Sequence, residues 1–365
     1  MAIKNITERL SDFEFDLITA KLDKNTPEYE KMGNVSVYRV GFGFMADKFL
    51  LPILGFFKAR QLHGAHVKHG HHVIHAYQAS YSAGAGWLLK FFYPKPPFII
   101  TLQEGKNLAE QGFLTNFFRK LIIKKADRAT AISSYLKNYI LKIKNNLKTE
   151  VIPNGVDIGA FSRNFSYGEM TDLENKLGIM PDDKVIISSS RLVTKNGLDL
   201  LIGAMSELNK DRQFSCKLIL AGEGPLEESL RLKVKSLHLE DKVIFAGTVS
   251  QEELPRYLKI SDVSVRPSRS EGLGIAFLEA MAAGVPVIGP KVGGIPDFLE
   301  DRKTGLFCSH EPKDIAFKIR IILENDKLRQ EIINNAEALV REKYDWEIIA
   351  ERFRELYSQI LISKS

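Results

Sequence analysis

The sequence predicts an α/β fold in two domains, and three observations carry that expectation. Short runs of β-branched and aliphatic residues alternate with longer helical stretches, the pattern of strands set between helices. The runs form two series on either side of VIPNGVD (151–157), a Pro-Asn-Gly turn of the kind that punctuates a boundary. The length, 365 residues, exceeds what one hydrophobic core usually encloses.

The first series is FDLITA (15–20), VSVYRV (35–40), HVIHAY (72–77), FIITL (98–102) and ATAIS (129–133), each short and apolar enough for a buried strand. The second is KVIISSS (184–190), KLILAGEG (217–224), KVIFAG (242–247), VSVRPS (263–268) and PVIGP (286–290). A final helix is expected over roughly 345–361, with Trp346 and Phe353 at helical spacing. There is no internal repeat and no low-complexity tract. Two cysteines, Cys216 and Cys308, are too few for a disulfide framework and suit a reducing compartment. The opening MAIKNITERLSDF has no apolar signal core, and FLLPILGFF (49–57) is too short to span a bilayer. A cytoplasmic protein is expected.

Charge is unevenly shared. Residues 1–150 hold 22 Lys and Arg against 12 Asp and Glu, a balance of +10; the remainder holds 29 against 33, or −4, which together give the +6 of the whole chain. In the first half, FLLPILGFFKAR, WLLKFF and FFRKLIIKK set cations beside aromatic and aliphatic residues. That composition fits peripheral contact with an anionic membrane, on the inner face of the plasma membrane, and equally fits core helices with solvated lysines. Nucleic acid is not an expected partner, since no recognised motif and no single long basic run occurs.

The most informative segment is SRSEGLGIAFLEAMAAGVPVIGP (268–290). Glu271 and Glu279 stand eight apart, with Gly272 and Gly274 between them, ahead of an apolar helix expected to begin near Gly274. Such a loop exposes backbone N–H groups, and the helix turns its positive end toward whatever the loop holds. Glu279, about one turn further in, would reach a second part of the same ligand. An anionic, hydroxyl-rich molecule suits both features. An ordinary buried helix after a glycine turn, with Glu279 solvated, is the other reading.

The segment resembles the E-x7-E signature of the retaining GT-B glycosyltransferases of family 4, and the resemblance extends over nearly the whole chain. It implies two Rossmann-like domains facing across a cleft: 1–152 with 347–365, the last helix returning to the first domain, and a nucleotide-sugar domain over 153–346. The reaction implied is transfer of a hexose from a nucleoside diphosphate sugar to a cell-surface glycan or lipid-linked acceptor. No cofactor beyond the donor and no metal are implied, and no Asp-x-Asp pair occurs in the sequence.

SSRLVTKNGLDLLI (189–202) is similar to the family segment in which an Arg and a Lys hold the donor diphosphate. Arg191 matches. The family Lys falls five residues later, where this chain has Asn196, so Lys195 is assigned the role. Glu271, Arg191 and Lys195 are thus the expected catalytic residues. The donor contacts expected are Gly272, Leu273, Gly274, Ile275, Glu279 and Asn196, with Gly222 and Glu223 from LAGEGPLEESL (220–230). Developing charge on the leaving phosphate needs preorganised donors, which these cations and the helix N-terminus would supply.

Departures fall in the first domain. The family's His-x-His becomes His75-Ala76-Tyr77, and its Thr-x-His-Gly becomes Thr101-Leu102-Gln103-Glu104-Gly105. Tyr77, Gln103 and Glu104 are therefore the acceptor-side candidates, with satisfied core polar groups as the other reading. Six of the eight histidines fall within residues 63–75, but no carboxylate or cysteine completes a metal set. The family's opening strand and glycine loop have no counterpart before FDLITA, through a misplaced start or a native truncation. A gap beside FDLITA or HVIHAY is expected. A degenerate, non-catalytic nucleotide-sugar-binding protein of the same fold is the alternative function, and an epimerase of GT-B shape a third.

Overall fold

The structure, a computed structural model, describes residues 2–66, 72–105, 112–211 and 214–362. The chain forms two compact units, Met1–Asn154 with Trp346–Ser365, and Gly155–Asp345.

Unit one holds β1 (Phe15–Ala20), β2 (Tyr29–Met32), β3 (Val35–Val40), β4 (Ile74–Tyr77), β5 (Phe98–Leu102), β6 (Arg128–Ala131) and β7 (Thr149–Val151). They make two sheets, ordered β1-β3-β2 and β4-β5-β6-β7. β1 runs parallel to β3, with Phe15 opposite Val35, and β2 returns antiparallel to β3. In the second sheet all pairs are parallel, with Ile74 opposite Phe98. β1 and β4 are therefore both edge strands among the described residues. β5 is buried at every position and forms the core of its sheet.

The C-terminal helix Trp346–Ile362 completes this unit. Its apolar residues recur at three- and four-residue intervals and bury one face, from Trp346 through Ile349, Phe353 and Leu356 to Ile360. That face packs on Ile6 and Leu10 of the N-terminal segment and on Ile99 of β5. Arg9 and Glu347 pair at 2.8 Å beside it. Tyr357 bridges the two sheets: its ring centroid lies 6.4 Å from that of Phe15 at the start of β1 and 5.7 Å from that of His75 in β4. The Tyr357 hydroxyl stands 2.7 Å from His75 Nδ1, His75 Nε2 is 2.6 Å from the Thr101 hydroxyl, and Thr101 is 2.6 Å from the Thr130 hydroxyl. Burial pushes His75 down to about 3, so the ring is neutral in the folded chain.

Unit two is a single parallel sheet of β8 (Lys184–Ser189), β9 (Cys216–Ala221), β10 (Val243–Gly247), β11 (Val263–Val265), β12 (Val287–Pro290) and β13 (Leu306–Cys308), ordered β10-β9-β8-β11-β12-β13. Ile186, Ile187, Leu218, Ile219 and Val263 are wholly buried, as strands covered on both faces must be. The order places two strands on one side of β8 and three on the other, a Rossmann-type arrangement with a switch point between β8 and β11. No described helix is long and apolar enough to cross a membrane.

His75 yields a pH test. Its folded value lies below the ordinary 6.5, so its contribution to stability is full above about 6.5 and is lost as pH falls through that value toward about 3. Tyr357→Phe removes the hydroxyl from His75 and should lower stability by about 1–3 kcal/mol at neutral pH. Denaturant midpoints of wild type and variant at pH 7 check this; identical midpoints would show that the hydroxyl carries no weight.

Candidate active site

Ligands in open parallel sheets gather at the carboxyl ends of strands beside a switch point. In unit two those ends are loop 190–197 after β8, loop 222–224 after β9 and loop 266–274 after β11. Glycines let these loops touch backbone to backbone. Gly222, at φ 144°, leaves no room for a side chain, since a Cβ would stand 2.2 Å from the Ser190 carbonyl oxygen. Gly293, at φ 55°, lies against the Glu271 carbonyl, where a Cβ would stand 1.8 Å from the oxygen. The Glu271 loop is thereby held from below.

Glu271 is 8% exposed and pairs through Oε2 with Arg266 Nη2 at 3.0 Å. The same Nη2 donates to Asn196 Oδ1 at 2.9 Å, and Asn196 Nδ2 donates to the Arg191 carbonyl at 2.6 Å. Asn196, 1% exposed, thus ties the loop after β8 to the loop after β11. Arg191 itself is exposed at the mouth of the loop, and Lys195 beside it is half-buried. The Lys195 carbonyl accepts from Arg269 N at 2.7 Å, while the Arg269 guanidinium grips both Asp199 oxygens at 2.9 and 2.8 Å.

Gly272 and Leu273 are buried, and Gly274, at φ 108°, caps the helix Ile275–Ala282 without a side-chain bond. The capping residue offers the first-turn N–H groups no side-chain acceptor, and Phe277 N donates to the Gly274 carbonyl at 3.0 Å. Glu279 lies within that helix, 7% exposed. Burial pushes its carboxyl up to about 7, against the opposing pull of Arg266 and a hydrogen bond with Gln251. Glu223 accepts from Thr248 N through Oε1 at 3.2 Å and from Leu192 N through its carbonyl at 3.0 Å, fixing the loop after β9. The buried hydroxyls of Ser188, Ser189, Ser190 and Ser268 have no hydrogen-bond partner among the described residues. Four such donors at strand ends are what a ligand rich in phosphate and hydroxyl oxygens would satisfy.

The acceptor-side candidates lie in unit one. Tyr77 is set in the core of that unit: its phenol bonds with that of Tyr357, and burial raises it well above the ordinary value. Gln103 Nε2 donates to Asn154 Oδ1 at 3.2 Å. Glu104 Oε2 accepts from Gln103 N at 3.0 Å, and its Oε1 stands 3.8 Å from the buried Arg119 Nε. Burial raises the Glu104 carboxyl, with Arg119 opposing. Among the clustered histidines, His63 Nδ1 meets His72 Nε2 at 2.7 Å, and His69 and His71 lie outside the described residues.

Sequence reasoning missed Arg266, Gly293 and Gln251. Arg266 was legible in one respect, as a cation directly following a buried strand, where a charge needs a partner.

Unit two's strand order, its glycine-packed loops and its two buried glutamates fit the Rossmann-like half that the resemblance to GT-B glycosyltransferases implies. The family description "Glycosyl transferases group 1" matches residues 169–339, and "Glycosyltransferase Family 4" matches residues 3–159. An uncharacterised glycosyltransferase of Methanocaldococcus jannaschii is 30% identical over 368 residues, 94% of this chain and 89% of that one. A GDP-mannose-dependent alpha-(1-6)-phosphatidylinositol monomannoside mannosyltransferase of Mycobacterium tuberculosis is 35% identical over 188 residues, 49% of this chain and 48% of its own. Sucrose-phosphate synthase of Thermosynechococcus elongatus shares the fold with a TM-score of 0.84 at 23% identity, over 99% of this chain and 93% of that one. The chain belongs to the group 1, family 4 glycosyltransferases and is a transferase enzyme.

Glu279 titrates within the physiological range. If its carboxylate accepts from the donor, nucleotide-sugar affinity rises with pH through about 7, and Glu279→Gln weakens binding more than twofold and flattens that dependence. Because the folded value is raised above the ordinary 4.5, the carboxylate costs stability as pH rises through this window. Glu279→Gln should therefore be the more stable protein at about pH 8 and match wild type below about pH 4. Arg266→Met removes an opposing cation and should move the affinity profile to higher pH. Calorimetric titration with nucleotide sugar across pH checks the two affinity profiles and denaturant unfolding at both ends of the pH range checks the stability, and an affinity profile untouched by both substitutions removes Glu279 from the site.

Proposed function

We propose that the protein is a metal-independent, retaining hexosyltransferase, moving a hexose from a nucleoside diphosphate sugar to a cell-surface glycan or lipid-linked acceptor in the cytoplasm. The observation that carries this reading is the buried set of Glu271, Arg266, Asn196 and Glu279 beside an uncapped helix N-terminus. Nucleotide-sugar use is supported by the mannosyltransferase relative, whose donor is GDP-mannose and whose acceptor is a phosphatidylinositol glycolipid by name. In the reaction, the bond from the anomeric carbon to the diphosphate breaks as the acceptor oxygen attacks from the same face. The leaving phosphate keeps the electron pair and takes the acceptor proton. Arg191, Lys195 and the N–H groups at Gly272–Ile275 stabilise the growing charge, the ribose rests on Glu279, and Glu271 contacts the sugar. No histidine base is required. An anionic membrane surface is the second partner in this reading, drawn by the +10 balance of residues 1–150.

A nucleotide-sugar-binding protein without turnover is the second reading. It is favoured by Asn196, which turns inward where the family pattern has a lysine.

Thermal-shift screening against UDP-, GDP- and ADP-sugars identifies the donor, and mass spectrometry of acceptor mixtures with that donor detects product. Turnover should persist in EDTA. Collapse in EDTA restored by Mg²⁺ or Mn²⁺ would overturn the metal-independent reading, and a donor shift with no product or hydrolysis would favour the binding protein.

A further inference from the structure

Three helices of unit one present a surface that the folded chain leaves uncovered. In helix Phe113–Lys125, Arg119, Ile122 and Ile123 face the core. The opposite face, where solvent would call for polar groups, carries Phe113 at 82% exposure and Phe118 at 58%. Helix Tyr81–Phe92 ends in Phe91 and Phe92, each 59% exposed, and helix Asp47–His66 adds Phe49 and Phe57 at 56% and 57%. Two ring contacts join the helices 47–66 and 81–92, and a lysine beside a ring links helix 113–125 to them. Phe49 meets Tyr81 edge-on at 5.1 Å, Phe56 meets Phe92 at 5.4 Å, and Lys125 Nζ lies 5.9 Å from the Phe91 ring centre. Isolated exposed rings are ordinary; a contiguous patch across three helices is the mark of an interaction site.

Charge selects the partner. The three helices contain eight Lys and Arg and one acid, Asp47. Asp47 is 2% exposed, its Oδ2 accepting from the N–H groups of Phe42, Gly43 and Phe44. Lys90 is buried against Asp127 at 2.8 Å, and Arg119 is buried too. Lys48, Arg60, Lys120 and Lys124 are left exposed among the rings, with no outward acid on these helices. A second copy of the chain would bring this basic face against itself, a like-charge juxtaposition. Rings set to enter the headgroup boundary, with lysines at their margin, suit an anionic bilayer.

We propose that the face formed by helices 47–66, 81–92 and 113–125 is a docking surface for anionic lipid membranes. It takes the membrane partner of the proposed function to named residues, and so rests on that reading. The rings enter the interfacial layer while the lysines contact lipid phosphates. Ring insertion and lysine–phosphate attraction act together, so binding needs both halves of the face.

The test is co-sedimentation of the full chain with phosphatidylcholine vesicles and with vesicles containing about one-third phosphatidylglycerol, at low and high salt. Wild type should bind the anionic vesicles, ignore the neutral ones and release in high salt. Phe113→Ser with Phe118→Ser, and separately Lys120→Glu with Lys124→Glu, should each weaken binding at least tenfold. These residues are exposed, so both variants should unfold at the wild-type temperature and keep the wild-type thermal shift with nucleotide sugar. Donor binding is read in solution, so failure of the docking face and failure of the transferase reading are separable. Equal binding to both vesicle types, binding untouched by the substitutions, or no vesicle binding would overturn the proposal. So would a concentration-dependent dimer, seen by sedimentation, that the same substitutions disperse.

Discussion

Buried around the Arg266 guanidinium are two carboxylates and an amide, and the geometry of unit two's site follows from that charge. Glu271 and Glu279 are both less than one-tenth exposed. An ionised carboxylate at such depth is unfavourable without a partner, and removing one member of a buried pair usually costs more than the pair contributes. Arg266 meets the requirement for Glu271 by direct contact and eases that of Glu279 through space. It also sets Asn196, and through Asn196 the carbonyl of Arg191, so the loops after β8 and β11 take one relative position. Glycine contacts finish the arrangement where no side chain fits.

Unit one solves a different problem. Its strands form two sheets whose edges, β1 and β4, share no ladder hydrogen bonds. Side chains hold the two together. Tyr357 packs against Phe15 on one side and meets His75 on the other, and the polar chain runs on through Thr101 to Thr130. A neutral histidine suits this position, because each ring nitrogen has a hydroxyl beside it and no charge is buried. The helix that supplies Tyr357 lies about 280 residues downstream of His75, so the unit closes only when the chain returns to it.

Where the sequence could be read follows from this division. Largely apolar runs mark strands, and FDLITA, VSVYRV and FIITL are strands with the boundaries expected from those runs, FIITL alone of the three being buried at every position. β2, with the sequence YEKM and mostly exposed, carries no such run and was not legible. β13 is three residues long at a sheet edge, too short for any period to register. In the site, Glu271 and Glu279 were visible because a local loop-helix segment holds both. The Arg266–Asn196 contact joins residues seventy apart and was not, since spacing carries no information about it. Tyr77 shows the same limit from the other direction. It was singled out because it stands at the second position of the family's His-x-His, and its bond with the Tyr357 phenol is set by tertiary packing that spacing does not encode.

Asn196 and Arg266 also explain each other. The side chain at 196 is 1% exposed and points at the Arg266 guanidinium, 2.9 Å away. A lysine there, as the family pattern would have it, would put two like charges in contact in a poorly solvated space. An asparagine removes the conflict and turns the contact into a hydrogen bond from a charged donor, the stronger kind. The positive charge is then not lost from the site. Arg266, at the end of β11, supplies the cation beside Glu271. A neutral residue at 196 without a cation at 266 would leave Glu271 buried and unpaired, and a lysine at 196 beside Arg266 would overload the pocket. The pair is consistent only as a pair, and the departure at 196 leaves Glu271 its cation.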